Sequence, residues 1–136
     1  MRGPNDIVFD AHGGFWFTDH GKTRPRERDV TGIFYARADG SHLEEVIFPS
    51  ENPNGIGLSP DGKTLYAVET VSGRVWAYEV TRPGEISKEP GPAPWVRGRL
   101  LANPDGYHLF DSLAVDSAGN VCAGSIPGNI TVVAPD

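Results

Sequence analysis

The chain has 136 residues, within the range of one domain, with 17 glycines, 12 prolines and a formal net charge of −6. An acidic chain with no dominant basic stripe argues against a nucleic-acid partner, and no apolar run approaches the roughly 20 residues of a membrane span. Cys122 is the only cysteine, which excludes an internal disulfide and a thiolate zinc site, and with no apolar stretch behind the opening MRGPND the expected location is cytoplasmic.

The elements read as short strands between glycine turns. Residues 5–19 (NDIVFDAHGGFWFTD) open on a polar residue, give an apolar strand, turn at a glycine and return in a second apolar strand. A long loop follows over residues 20–31. It carries Lys22, Arg24, Arg26 and Arg28, interrupted by Glu27 and Asp29, and reads as solvated. Its length singles it out as a lid or specificity element. Gly32-Ile-Phe-Tyr opens a third strand, which reaches an Asp39-Gly40 hairpin turn and a fourth strand from His42 to Phe48.

The same order recurs. Residues 54–70 (NGIGLSPDGKTLYAVET) and 111–125 (DSLAVDSAGNVCAGS) overlay the first segment, and Gly13, Gly62 and Gly119 each fall eight positions after the opening residue. The third strands open at Gly73-Arg-Val-Trp and Gly128-Asn-Ile-Thr. The second repeat has a Pro83-Gly84 turn but no clear fourth strand. The third repeat ends at Val132-Val133-Ala134-Pro135-Asp136, where a hairpin turn is expected. Four antiparallel strands in a repeat of about 50 residues is the pattern of a propeller blade. The chain is therefore expected to be all-β: one partial β-propeller domain over residues 1–136, with repeats at about 5–48, 54–101 and 111–136, some two and a half four-stranded blades. A small open sandwich of the same strands is the alternative. Alternation within strands places Ile7, Phe9, Trp16, Ile56, Leu58, Tyr66, Leu113 and Val115 in the core, and Cys122 reads as a core position.

In a blade the first strand lines the central channel, so Asn5, Asn54 and Asp111 should converge at one mouth. Two amides and a carboxylate are oxygen ligands suited to a hard cation such as Ca²⁺, although Asn and Asp also cap turns at strand starts. His20 and His108 belong to mouth loops and are candidate substrate contacts, with a structural role as the alternative for each. His12 falls in a turn at the opposite end. No Gly-x-Ser-x-Gly elbow supports a serine nucleophile.

Taken in order, the ND…D..G..W..T segment from Asn5, the NGIGLSPDGKTLYAVET segment from Asn54 and the FDSLAVDSAGNV segment from Phe110 resemble the gluconolactonase/regucalcin (senescence marker protein-like) β-propeller family over essentially the whole chain. The resemblance implies a propeller expected to have six blades, with the rest of it missing from this chain. It implies that Asn54 and Asp111 bind a divalent metal, Ca²⁺ first and Zn²⁺, Mn²⁺ or Mg²⁺ as alternatives. It implies that Asp111 also serves as general base and that Asn5 contacts substrate. The family's glycine after the catalytic Asp is Ser112 here, and its glutamate ligand belongs to a blade ahead of this chain. The implied activity is metal-dependent hydrolysis of a small-molecule lactone, a sugar lactone or related ester, as a fragment of a larger enzyme. A non-catalytic propeller that binds a metal, a small ligand or a protein is the other reading, and a strictosidine-synthase-like propeller ranks behind both.

Overall fold

A computed structural model describes residues 1–135. The third repeat was read through Asp136, which lies outside the described residues. Among the described residues every regular element is a strand. β1 (Pro4–Phe9), β2 (Gly14–Asp19), β3 (Thr31–Arg37) and β4 (Leu43–Ser50) form the first antiparallel sheet in sequence order. β5 (Pro53–Leu58), β6 (Thr64–Glu69) and β7 (Arg74–Arg82) begin the second. Its outer edge is shared by the two-residue β8 (Glu85–Ile86), paired near the end of β7, and β9 (Arg99–Ala102), paired with Val75, Trp76 and Ala77. β10 (Phe110–Val115), β11 (Val121–Ser125) and β12 (Asn129–Val133) form the third. The fourth strand that the second repeat concealed is β9. It returns only after a proline-rich excursion over residues 87–98, so no turn signal adjoins it.

One rim of the three sheets is built from a repeated turn. The residue five positions after each opening residue is Asp10, Ser59 or Asp116. Its amide donates to the first residues of the returning strand, at Gly14 O, Thr64 O and Asn120 O. Its side chain accepts the amides of Gly14, Thr64 and Asn120 in turn. The glycines aligned in the sequence have φ of +81°, +71° and +88° at Gly13, Gly62 and Gly119, the left-handed conformation that a glycine adopts without steric cost.

The middle sheet is buried on both faces, and strand alternation shares its side chains between two cores. Leu65, Ala67, Trp76 and Tyr78 meet Trp16, Ile33, Tyr35 and Ile47 of the first sheet. Tyr66, Val68, Val75 and Ala77 meet Phe110, Val121 and Ala123 of the third. Trp16, Ile56 and Tyr66 are buried as expected, and Leu58, Leu113 and Val115 are partly buried against these cores. Ile7 and Phe9 correct the expectation: they are 47% and 64% exposed. On β1 it is Val8 that packs inward, so the period of two turns its neighbours to the free face of the sheet. There Phe9, Phe15, Phe17 and Phe34 form an aromatic row with ring centroids 5.3–5.8 Å apart. Cys122 is half-buried rather than in the core.

The second and third sheets approach most closely at Gly55. A methyl group there would lie 2.5 Å from Leu113 N, 2.6 Å from Leu113 Cβ and 2.7 Å from Asp111 O. Two of these three obstacles are backbone, which cannot swing aside. Gly55→Ala is expected to lower stability by about 3 kcal/mol, the upper part of the usual range for overpacking. Gly62→Ala, where nothing lies within 4 Å, should lose only the roughly 1–2 kcal/mol of left-handed strain. Urea midpoints of the two variants check the order.

Candidate functional site

The opposite rim gathers most of the buried polar side chains. Thr18, Asp19, Thr31, Ser50, Asn52, Asn54, Glu69, Thr70 and Ser125 are all buried and all lie at strand ends on that side. One device repeats three times. The last residue of the second strand in each repeat is Asp19, Glu69 or Ser125, and it accepts backbone N–H groups from the segment entering the first strand. Asp19 takes Arg2 N (2.6 Å) and Gly3 N (2.5 Å). Glu69 takes Glu51 N (2.7 Å). Ser125 takes Leu109 N (3.2 Å). The next amide in each case, His20 N, Thr70 N or Ile126 N, donates to Gly3 O, Asn52 O or Leu109 O. The buried Glu69 also accepts the hydroxyls of Ser50 and Ser72, so its lone pairs are used, as burial of a carboxylate requires.

These ties fix where each opening residue stands. The strand register slips between Pro4 and Ile7, between Pro53 and Ile56, and between Phe110 and Leu113. Each slip spans the opening residue and its neighbour, and such bulges re-aim side chains. The buried Asn54 donates through Nδ2 to Asp111 Oδ1 (2.9 Å) and to Thr70 Oγ1 (3.1 Å). Asn54 and Asp111 therefore meet across the second and third sheets. Asn5 does not join them by hydrogen bond; it is exposed on β1 and lines a concavity on the outer face with Ile7, Phe15 and Phe17. Its neighbour Asp6 makes the crossing instead, accepting Ile56 N at Oδ2 (3.0 Å). Thr18 Oγ1 accepts Asp6 N (3.1 Å) and donates to Asn54 O (2.7 Å). Asp6 and Thr18 thus clamp the start of β5 on either side of Gly55.

His20 and His108 both reach this rim. His20 O accepts Asn52 Nδ2 (3.0 Å), and the fully buried Asn52 holds φ at 52°. His108 stacks on Phe110 with centroids 5.3 Å apart, and its Nε2 lies 3.0 Å from Asp105 O. Four buried side-chain polar atoms among the described residues lack a partner. Three are here: His20 Nδ1, Asn52 Oδ1 and His108 Nδ1. Unmet hydrogen-bonding capacity is costly in a core, and three of the four such atoms among the described residues lie at this rim.

The loop after β2 is held rather than loose. Thr23 and Arg28 form an antiparallel bridge, and Arg24 N donates to Glu27 O and Asp29 N to Lys22 O. The buried Asp29 accepts Arg24 Nη1 (2.8 Å), Arg2 Nη1 (2.6 Å) and Lys22 N (2.9 Å). The Arg24 guanidinium, against the opposing effect of burial and with help from Lys22 N and Arg2, holds the Asp29 carboxyl well below the usual carboxylate range.

Comparison with known proteins follows this geometry. The SMP-30/gluconolactonase/LRE-like region matches residues 1–136. The chain belongs to this family. A gluconolactonase from Zymomonas mobilis is 32% identical over 151 residues, covering 100% of this chain and 40% of its own. The structure of a gluconolactonase from Xanthomonas campestris, important in glucose secondary metabolic pathways, superposes with a TM-score of 0.63 and 26% identity, over 97% of this chain and 47% of its own. Regucalcin from Agrobacterium tumefaciens, a calcium-binding protein, shares the fold with a TM-score of 0.71 at 21% identity, over 94% of this chain and 43% of its own. The chain thus spans less than half the length of these relatives.

Sequence reasoning named Asn5, Asn54, Asp111, His20 and His108 and placed Asp19, Asn52 and Ser125 at the mouth without a role, but it missed Asp6, Thr18 and Glu69. The repeat alignment carried a partial signal for the three strand-end acceptors, since Asp19 and Ser125 each fall six residues after the turn glycine, whereas Glu69 falls seven after it. Asp29 gives a testable pH signature. Its depressed pKa stabilises the fold fully above about pH 4, the unfolded value, and the contribution disappears as pH falls through the folded value. Asp29→Asn should therefore lower the melting temperature at pH 7, and the gap to the parent should close toward pH 2. A gap that stays constant to pH 2 would show that the carboxylate charge is not the source.

Proposed function

We propose that this rim hydrolyses a small lactone with the help of a divalent cation. The observation that carries the reading is the contact of Asn54 with Asp111 across two sheets, at the rim where buried polar atoms of His20, Asn52 and His108 stand without partners. The relatives named above, gluconolactonases among them, support the substrate class. Asn54 and Asp111 fit part of a hard-cation site, because an amide and a carboxylate supply the oxygen donors such ions take. Among the described residues no three His, Cys, Asp or Glu side chains converge on a point, so further positions would fall to water, substrate or residues outside the matched span.

A divalent cation, Ca²⁺ by donor type and Zn²⁺, Mn²⁺ or Mg²⁺ as alternatives, would polarise the lactone carbonyl. Asp111 is exposed and stands as the general base, taking a proton from the attacking water. The water oxygen bonds to the carbonyl carbon, the ring C–O bond breaks, and the departing alkoxide takes up a proton. The product is a hydroxy acid, ionised at neutral pH. Asn54 holds Asp111 in place by its hydrogen bond, and Thr70 and Thr18 hold Asn54. His20 and His108 would contact the ring hydroxyls, whereas Asn5 lines the concavity on the outer face.

The test is proton release from a sugar lactone with and without added Ca²⁺, Zn²⁺ or Mn²⁺. Asp111→Asn should cut metal-dependent turnover by about a hundredfold or more, the usual worth of a positioned base, with an unchanged melting temperature because the side chain is exposed. Turnover equal to the parent's would remove Asp111 from the mechanism, and metal binding without turnover would favour the binding-only reading.

A further inference from the structure

We infer that the hairpin over residues 22–29 is an anion-recognition arm, and that the lactone taken at this rim carries a second, anionic group, a carboxylate or a phosphate ester. The inference rests on the hydrolytic reading above and names the substrate class within it.

The hairpin is preorganised. Its two-residue tip is Pro25-Arg26, between the paired Arg24 and Glu27, and proline presets the backbone of such a turn. Its base is anchored twice, by Asp29 as described and by Asp19, whose Oδ1 also accepts Gly21 N (3.3 Å). The anchoring pairs Asp29 with both Arg2 and Arg24, and Arg24 also lies 3.5 Å from Glu27. Lys22, Arg26 and Arg28 are exposed and have no ion pair among the described residues. In a chain of net charge −6, five of the twelve lysines and arginines are Arg2, Lys22, Arg24, Arg26 and Arg28. A structural loop needs two of them to hold Asp29; the other three remain unexplained by the fold.

The root of the hairpin is at the site. It leaves β2 two residues after Thr18, whose hydroxyl donates to Asn54 O. His20, two residues ahead of the hairpin, accepts from Asn52 at its carbonyl oxygen and carries one of the unpartnered buried atoms. On the same rim Asp19 and Glu69 are spent on backbone amides and hydroxyls, while Glu51, Asp105 and Asp111 are exposed. Unpaired fixed cations at a mouth raise the local concentration of an anionic ligand and hold it by charge.

The experiment measures kcat/KM for three lactones of one sugar series: neutral, bearing a free carboxylate, and bearing a phosphate ester. The parent chain is compared with Arg26→Gln/Arg28→Gln and with the control Lys63→Gln at the opposite rim, and equal melting temperatures confirm folding. The ratio of anionic to neutral kcat/KM should fall about tenfold in the double variant at low salt and not in the control, as expected for losing two exposed charge contacts. The anionic lactone whose ratio falls identifies the group recognised. An unchanged ratio for both overturns the inference. If no lactone is hydrolysed, the hydrolytic reading fails by itself, and calorimetric binding of the two anionic lactones decides: affinity lost in the double variant upholds the arm, while equal affinity, or no binding by the parent chain, overturns it.

Discussion

Each sheet closes on itself through one hydrogen-bonded tie at the rim opposite the glycine turns. A side chain ending the second strand accepts the amides that lead into the first, and the following amide donates back to the same segment. Asp19, Glu69 and Ser125 do this in three repeats with three different side chains. The shared requirement is an acceptor oxygen at that register, since the entering segment would otherwise leave N–H groups unpaired where water is excluded. The tie precedes the bulge, the bulge sets the direction of the opening residue, and two of the three opening residues, Asn54 and Asp111, meet across the sheets. Stability and site geometry are thus built from the same bonds.

Contact between sheets is then set by two kinds of residue. Between the first and second sheets the link is polar: Asp6 and Thr18 reach across to Ile56 N and Asn54 O. Between the second and third it is steric, because Gly55 has no side chain and lets β10 come close enough for Asp111 to meet Asn54. The residues after Asn5 and Asn54 are therefore Asp and Gly for different reasons, one to bridge a gap and one to abolish it. Sheets that only packed apolar faces could slide against each other; these bonds hold one relative position.

Much of this was legible in the sequence, because it repeats. Strand order, the glycine turns at Gly13, Gly62 and Gly119, and the approach of Asn54 to Asp111 all follow from aligning three segments. What the alignment could not supply were features that differ between repeats. β9 was hidden because its connection runs through residues 87–98 with no turn motif beside it. Ile7 and Phe9 were placed in the core because alternation tells which residues share a face, but not which face has a neighbour. The two outer faces, with Phe9 and Leu43 on one and Ile130 and Val132 on the other, remain exposed, whereas the middle sheet is covered twice. Asp6 was overlooked beside Asn5, although its carboxylate and not the amide of Asn5 makes the crossing to the second sheet.

The charge distribution separates the work of the two rims. At the turn rim, carboxylates such as Asp10, Asp61 and Asp116 are satisfied locally by amides and hydroxyls two to four residues away or, for Asp10, also by Tyr35. Burial raises the pKa of Asp10 while the Gly14 amide, Tyr35 and His12 outweigh it, so the group stays ionised and its bonds stay formed. At the opposite rim the partners lie farther along the chain: Asp19 and Asp29 bond to Arg2, and Asn54 to Asp111, 57 residues on. Local satisfaction makes a turn independent of the rest of the fold, whereas long-range satisfaction makes each site residue depend on all three sheets being assembled. A site assembled this way is ordered only when the sheets are.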